Sequence, residues 1–301
     1  MRRLAAAALA LCLASSAEVV RAQSLCGGQT VARLDAGEET RPQVRLDVGG
    51  VPRTVLLDTG TTRSLLFDDA PGASAHVAAT IGIAGLPAFD FKVRTNQFAP
   101  RGVENGAILG TDVLSKSSVV IAPETIEISA ERCDPQRLAA AGFRRVDERG
   151  FFAADPALRG RVANVPVLPL RIGDMQAEAQ IDTGYGDRAY PFSIDINQAM
   201  LAGLRLQGVA LTRIGDVKVF TCQGAETRDV FAAPAPLRLG AYSEAPLAQT
   251  STYVLIPKAP NGCGGIADWT MPGAQLAARF LDLFAAVALD GPDAAIWVKP
   301  K

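Results

Sequence analysis

The feature that most constrains the fold is a motif that occurs twice, each time behind the same strand pattern. Residues 44–60 read VRLDVGGVPRTVLLDTG, and residues 167–184 read VLPLRIGDMQAEAQIDTG. In both segments apolar residues alternate along a first strand, a glycine-containing turn follows, and a second strand ends in Asp-Thr-Gly. The sequence therefore predicts two β-hairpins, each of which delivers an Asp-Thr-Gly loop, beginning at Asp58 and at Asp182.

The sequence downstream of each loop is also repeated. Residues 105–114 read NGAILGTDVL and residues 272–281 read PGAQLAARFL, and apolar strand-like runs follow both. The distance from the loop to this second segment is greater in the second copy, which predicts an insertion between about residues 196 and 265. A chain of 301 residues, 49% of them hydrophobic, is long enough for two such units with cores of their own.

Composition excludes several other classes of protein. The net charge is −1 without a basic cluster, which argues against a nucleic-acid partner. The single histidine, His76, rules out a multi-histidine metal site, and no zinc, EF-hand or phosphate-loop signature is present. We therefore expect no metal or cofactor, and chemistry that rests mainly on carboxylates, hydroxyls or cysteines.

The N-terminus is typical of a secretory signal peptide over residues 1–22. Arg2 and Arg3 precede a short apolar run, and a small-x-Ala cleavage site ends at Ala22. The run is too short to span a membrane, so we expect a periplasmic or secreted protein without a membrane span. Four cysteines remain after cleavage, and in an oxidising compartment two disulfides are plausible, for which sequence alone allows three pairings. These cysteines are Cys26, Cys133, Cys222 and Cys263.

With both repeats identified, the chain resembles the retropepsin-like, or pepsin-type, aspartic peptidases, especially bacterial exported proteins with two Asp-Thr-Gly lobes. The resemblance covers about residues 29–130 and 163–300, and the segment Ile108-Leu109-Gly110 fits the family's second motif. It implies an all-β fold of two pseudo-symmetric retropepsin-like β-barrel lobes with a few short helices. It also implies an aspartic endopeptidase whose catalytic residues are Asp58 and Asp182, with a polypeptide as substrate.

The resemblance further implies the lobe boundaries and the disulfide pairs. The expected order is a signal peptide at 1–22, an N-terminal lobe at 23–135, a connection at 136–162 and a C-terminal lobe at 163–301. Because one chain supplies both aspartates, we expect a monomer, although pairing of lobes between molecules is an alternative. The pairings that stay within one lobe are favoured, namely Cys26–Cys133 and Cys222–Cys263.

Residues around the two aspartates receive supporting roles from the same resemblance. The threonines are expected to hydrogen-bond across to the opposite loop, the glycines to permit a sharp turn, and Thr61 to donate to the outer oxygen of Asp58. The supporting residues are Thr59, Gly60, Thr61, Thr183 and Gly184, and the glycines of the second motif are Gly110 and Gly273. Residues 80–87 are the candidate for a flap over the substrate, with Phe89 or Phe91 in place of a flap tyrosine.

Two positions depart from the family pattern. Tyr185 occupies the place that Thr61 has in the first copy, and Ala277 stands where a glycine is expected if Leu276 aligns with Leu109. These departures support an alternative function, a catalytically inactive retropepsin-like scaffold that acts as a peptide- or protein-binding module.

Overall fold

A computed structural model describes residues 24–34, 41–69, 75–146, 165–221, 223–240 and 253–301. Over these residues the chain is mostly strand. The strands, in chain order, are β1 (Gln29–Leu34), β2 (Gln43–Val48), β3 (Val51–Leu57), β4 (Leu65–Asp68), β5 (His76–Ala79), β6 (Phe89–Thr95), β7 (Ala107–Leu109), β8 (Ser118–Ile121), β9 (Thr125–Ser129), β10 (Arg144–Arg145), β11 (Val167–Ile172), β12 (Met175–Ile181), β13 (Ser193–Asn197), β14 (Thr212–Thr221), β15 (Gly224–Ala232), β16 (Leu237–Leu239), β17 (Val254–Lys258), β18 (Gly273–Leu276), β19 (Ala286–Asp290) and β20 (Ala295–Lys299).

The helices within the described residues are short. They are α1 (Thr111–Leu114), α2 (Pro135–Ala140) and α3 (Gln198–Leu206), together with 3₁₀ turns at Asn96–Phe98, Gly265–Asp268 and Ala278–Leu283. The two longer α-helices begin at side-chain caps, because Asp134 accepts from the first backbone N–H groups of α2 and Asn197 from that of Met200 in α3. None of the described helices is long and apolar enough to cross a membrane.

Two groups of strands repeat the same topology. In the first lobe (β2 to β7), β2 and β3 form an antiparallel hairpin and β3 runs parallel to β7. Next to β7 lie antiparallel β4, then β6 parallel to β4, then antiparallel β5. In the second lobe (β11 to β18), the hairpin β11–β12, then β18, β13, β17 and β15 follow with the same sequence of directions.

Strand alternation explains the core of each lobe. In β2 the side chains of Val44, Leu46 and Val48 are buried, and their counterparts in β11 are buried as well. Successive side chains of a strand point to opposite faces, so this spacing directs one face of each hairpin inward. The second lobe also contains α3, β14 and β16, and these additional elements lie within the predicted insertion.

A third group of strands joins the lobes. Strands β10, β20, β19, β8, β9 and β1 form one continuous arrangement, which contains the C-terminal hairpin beside strands from the N-terminal half. We call it the bridging sheet. The all-β fold of two pseudo-symmetric lobes with few helices is thus confirmed.

One of the two expected disulfides is confirmed. Cys26 and Cys133 are bonded beside the bridging sheet, where both are buried. Cys263 is also disulfide-bonded, but its expected partner Cys222 lies outside the described residues, so that pairing stays a prediction. The expected signal peptide at residues 1–22 also lies outside the described residues.

Candidate active site

Each Asp-Thr-Gly loop begins where the outgoing strand of its hairpin ends. The backbone N–H of Asp58 donates to the carbonyl of Leu109 at 2.9 Å, and that of Asp182 donates to the carbonyl of Leu276 at 3.0 Å. In each lobe the backbone of the aspartate is therefore held by the strand that runs parallel to the outgoing strand of the hairpin. This strand is β7 in the first lobe and β18 in the second. The two lobes present their aspartates in the same way.

The threonines lock the two loops together reciprocally. The backbone N–H of Thr59 donates to Oγ1 of Thr183 at 3.0 Å, and the N–H of Thr183 donates to Oγ1 of Thr59 at 3.1 Å. Each hydroxyl then donates to the opposite strand end, Thr59 to the carbonyl of Ile181 at 2.6 Å and Thr183 to that of Leu57 at 2.5 Å. Both threonines are almost completely buried, so these polar groups depend on one another.

The glycine of each loop packs against the aspartate of the other. A Cβ atom at Gly60 would lie 2.2 Å from Cγ of Asp182, and one at Gly184 would lie 2.2 Å from Cγ of Asp58. The N–H of each glycine also donates to Oδ1 of the aspartate in its own loop, at 2.8 Å for Asp58 and 2.9 Å for Asp182. Any larger residue would displace a carboxyl group, so the motif requires glycine here for steric reasons.

Each carboxyl group packs against the glycine of the opposite loop, which brings the two aspartates close enough for each to influence the pKa of the other. Asp182 is 9% exposed and Asp58 is half-buried. Burial raises the pKa of Asp58, and burial together with the negative charge of Asp58 holds the pKa of Asp182 well above its ordinary value. The pair can therefore retain a proton at pH values where an isolated aspartate is ionised, and it titrates as a unit.

The residues that follow the two glycines behave differently from the expectation. The hydroxyl of Thr61 donates to the carbonyl of Arg63 at 3.3 Å, while its backbone N–H faces Asp58 and lowers the pKa of that carboxyl. The hydroxyl of Tyr185 points to Asp195, at 3.4 Å from Oδ1, and accepts a hydrogen bond from Ser193 at 3.0 Å. The expected Thr61 hydroxyl donor to Asp58 is thus replaced by a backbone group.

The second motif contains two glycines that are not equivalent. The register pairs Leu57 with Leu109 and Ile181 with Leu276, so Gly273 corresponds to Gly106 and Ala277 corresponds to Gly110. A Cβ at Gly110 would lie 2.7 Å from the backbone of Arg63, in the short loop between Asp58 and β4. The corresponding loop in the second lobe is longer, and Ala277 is accommodated there fully buried.

The candidate flap, residues 80–87, connects the antiparallel strands β5 and β6 and is anchored by two of its side chains. Ile81 bridges to Val48, Gly82 donates to the carbonyl of Asp47, and both Ile81 and Ile83 are buried. Ile81 and Ile83 therefore anchor the start of this segment beside the β2–β3 hairpin, while Ala84, Gly85 and Pro87 are exposed. Phe89 and Phe91 are also in the core, which makes them unsuitable as substitutes for a flap tyrosine, so this expectation was wrong.

A polar cluster beside Asp182 was missed from the sequence. Nε2 of Gln275 donates to Oδ2 of Asp182 at 2.5 Å, and Nζ of Lys258 donates to Oε1 of Gln275 at 2.8 Å. Lys258 also pairs with Asp195 at 2.8 Å, and Arg228 lies 3.5 Å from the same carboxylate oxygen. A signal existed, because Gln275 stands in the repeat where the first copy has an isoleucine.

The described residues include no group of three or more His, Cys, Asp or Glu side chains that could hold a metal ion.

No protein-family model matches the chain, and no curated protein matches it. Among solved structures, the chain is similar to the aspartic proteinase from Irpex lacteus at 15% sequence identity. The alignment covers 91% of this chain and 97% of that chain, with a TM-score of 0.48.

Proposed function

We propose that this protein is an exported aspartic endopeptidase that hydrolyses peptide bonds with a water molecule activated by Asp58 and Asp182. The observation that carries the proposal is the reciprocal locking of the two Asp-Thr-Gly loops by Thr59 and Thr183, with each carboxyl group packed against the glycine of the opposite loop. The fold alone does not require two aspartates to lie side by side between the lobes. Their burial makes it costly to ionise either carboxyl group.

The chemistry follows from the shared proton. Two carboxyl groups in contact cannot both ionise easily, so near mildly acidic pH one is charged and one is neutral. The charged group accepts a proton from water, which attacks the peptide carbonyl carbon. The neutral group supplies a proton, and the C–N bond breaks with the amine leaving in its protonated form. Asp58 and Asp182 perform these two roles as a pair.

The remaining parts of the proposal concern the protein as a whole. A signal peptide at residues 1–22 would deliver the chain to the periplasm or outside the cell, where the Cys26–Cys133 disulfide is stable. Lobes at 23–135 and 163–301, connected through 136–162, would supply one aspartate each. A single chain then carries a complete dyad and acts as a monomer on polypeptide substrates.

The test is cleavage of a diverse peptide library by the mature protein across pH 3 to 8, beside Asp58→Asn and Asp182→Asn. Each amide replaces a carboxyl group with a neutral group of the same shape, so both variants are expected to fold. We expect cleavage by the wild type and loss of cleavage in both variants. Near-wild-type cleavage by Asp58→Asn would refute the dyad.

A second candidate is a binding module that retains the scaffold without turnover. The observation that favours it is that Ile81 and Ile83 of the candidate flap are buried and Ile81 bridges to Val48, since an enzyme of this class needs a segment that can close over its substrate. Folded wild-type protein that retains peptides from the library and cleaves none between pH 3 and 8 would support this candidate. Cleavage that depends on both aspartates would exclude it.

A further inference from the structure

The two lobes differ in the side chains on one face of the sheet beside the aspartate. In the first lobe this face is apolar, with Leu56, Phe67 and Ile108 buried and Leu65 packed against them. The same register positions in the second lobe carry polar side chains, which are all buried. These are Gln180, Asp195, Asn197 and Gln275. Because the first lobe folds with apolar residues at these positions, the topology does not demand the polar set.

Within this set, Gln275 connects directly to the aspartate. Its amide nitrogen donates to Oδ2 of Asp182 and its amide oxygen accepts from Lys258. An ammonium group has no acceptor, so Lys258 fixes which end of the amide faces Asp182. Gln275 is 8% exposed, and in this environment each of its hydrogen bonds is costly to remove.

Lys258 is in turn held by charged groups from neighbouring strands. Asp195 in β13 accepts from Lys258 at 2.8 Å and lies 3.5 Å from Arg228 in β15. Glu226 pairs with Nε of Arg228, whereas Nη1 of Arg228 faces Asp195, and the hydroxyl of Tyr185 donates to Asp195. The Lys258 side chain is 16% exposed, so water screens this arrangement only weakly.

We propose that Gln275 is a positioning residue for Asp182, oriented by Lys258, and that on this lobe it supplies the side-chain donor that Tyr185 does not provide. The inference rests on the proposed function. Oδ1 of Asp182 accepts from the N–H of Gly184 and Oδ2 accepts from Gln275. Both donors are N–H groups. An N–H group cannot accept a hydrogen bond from a protonated carboxyl group, whereas a hydroxyl group can. A proton on Asp182 therefore finds no acceptor in either of these two donors.

The charges that face the dyad fix the sign of the effect. Asp58 raises the pKa of Asp182, and Lys258 lowers it. On the other side, Arg41 lowers the pKa of Asp58. Removing Lys258, or removing the donor from Gln275, stabilises the protonated dyad relative to its ionised form. Both changes are thus expected to move the pH profile of kcat in the same direction, to higher pH.

The test uses full-length mature protein with Gln275→Leu and Lys258→Met. Leucine copies the apolar residue type of the first lobe, so Gln275→Leu is expected to fold. We expect about a tenfold loss of kcat with little change in KM, and a profile displaced to higher pH. The matched control is Arg213→Met, which removes a cation from an exposed pair with Asp229 in the same lobe. It should leave kcat and the pH profile unchanged.

A second readout separates this inference from the proposed function. ¹³C NMR of labelled aspartate carboxyl groups follows the dyad titration directly, with Asp58→Asn and Asp182→Asn used for assignment. A titration displaced to higher pH in Gln275→Leu supports the inference even if no peptide is cleaved, whereas a displacement in Lys258→Met alone reflects only the lost charge of Lys258. An active Gln275→Leu variant with an unchanged profile, or an unchanged titration in Gln275→Leu, would overturn it and leave the proposed function intact.

Discussion

The reciprocal threonine network gives the sharpest prediction about stability, through the substitution Thr183→Val. Valine has the shape of threonine, but the hydroxyl group is lost. The carbonyl of Leu57 then loses its donor at 2.5 Å, and the N–H of Thr59 loses its acceptor at 3.0 Å. Each buried group left without this partner costs about 1–3 kcal/mol. The free energy of unfolding should therefore fall by about 2–6 kcal/mol.

The assay is urea-induced unfolding of the wild type and Thr183→Val at one pH. We expect a lower midpoint with an unchanged slope, because the surface exposed on unfolding is the same. Thr59→Val removes the symmetry-related pair of hydrogen bonds and should cost a similar amount. Thr61→Val is the control, since its hydroxyl has one long hydrogen bond in a less buried position, and we expect a loss below about 1 kcal/mol. A loss below about 1 kcal/mol in Thr183→Val itself would refute the reasoning.

Three further predictions concern the dyad and the disulfide. Gly184→Ala places Cβ against the carboxyl group of Asp58, so steady-state kcat/KM should fall about a hundredfold, and unchanged turnover would contradict the contact. The wild type should lose stability as pH rises through the raised pKa of Asp182, because the folded state there binds more protons than the unfolded state. Urea unfolding of Asp182→Asn should then match the wild type below about pH 4 and exceed it at pH 7. Replacing both Cys26 and Cys133 by alanine opens a loop with a sequence separation of 107 and should cost about 3–5 kcal/mol, whereas an unchanged thermal midpoint would exclude this contribution.

Much of the site was predictable because the informative patterns are local and occur twice. Alternating apolar residues identify the strands of each hairpin, and Asp-Thr-Gly identifies the loop that follows. The cross-loop contact of Thr59 and Thr183 came from the family resemblance rather than from spacing, since residues 124 positions apart carry no local signal of contact. The repeat also indicated where the second lobe carries its insertion.

The surroundings of Asp182 could not be predicted in the same way. Lys258, Asp195 and Gln275 come from three different strands and meet only through the register of the second lobe. Gln275 was visible in the sequence as a departure from the repeat. Its contact with Lys258 was not, because side-chain pairs across neighbouring strands depend on tertiary packing. Tyr185 differs from Thr61 of the first copy in the sequence itself, whereas its contact with Asp195 needed the structure.

One part of the flap prediction was wrong, because Phe89 and Phe91 lie in the core and cannot take the place of a flap tyrosine. The segment at residues 80–87 has glycines typical of a turn, but Ile81 and Ile83 alternate in the manner of a half-buried strand. Ile81 bridges to Val48, and burying Ile81 and Ile83 is more favourable than leaving them in water. Turn composition located the connection between β5 and β6 correctly and gave no information on the direction in which it packs.

The most direct test of the central claim compares kcat/KM on one cleaved peptide for the wild type, Asp58→Asn, Asp182→Asn and an equimolar mixture of the two variants. A dyad built within one chain predicts cleavage by the wild type and a loss of at least about a thousandfold in each variant, with no recovery on mixing. Full activity in either single variant, or activity restored by mixing, would contradict an intramolecular pair of aspartates.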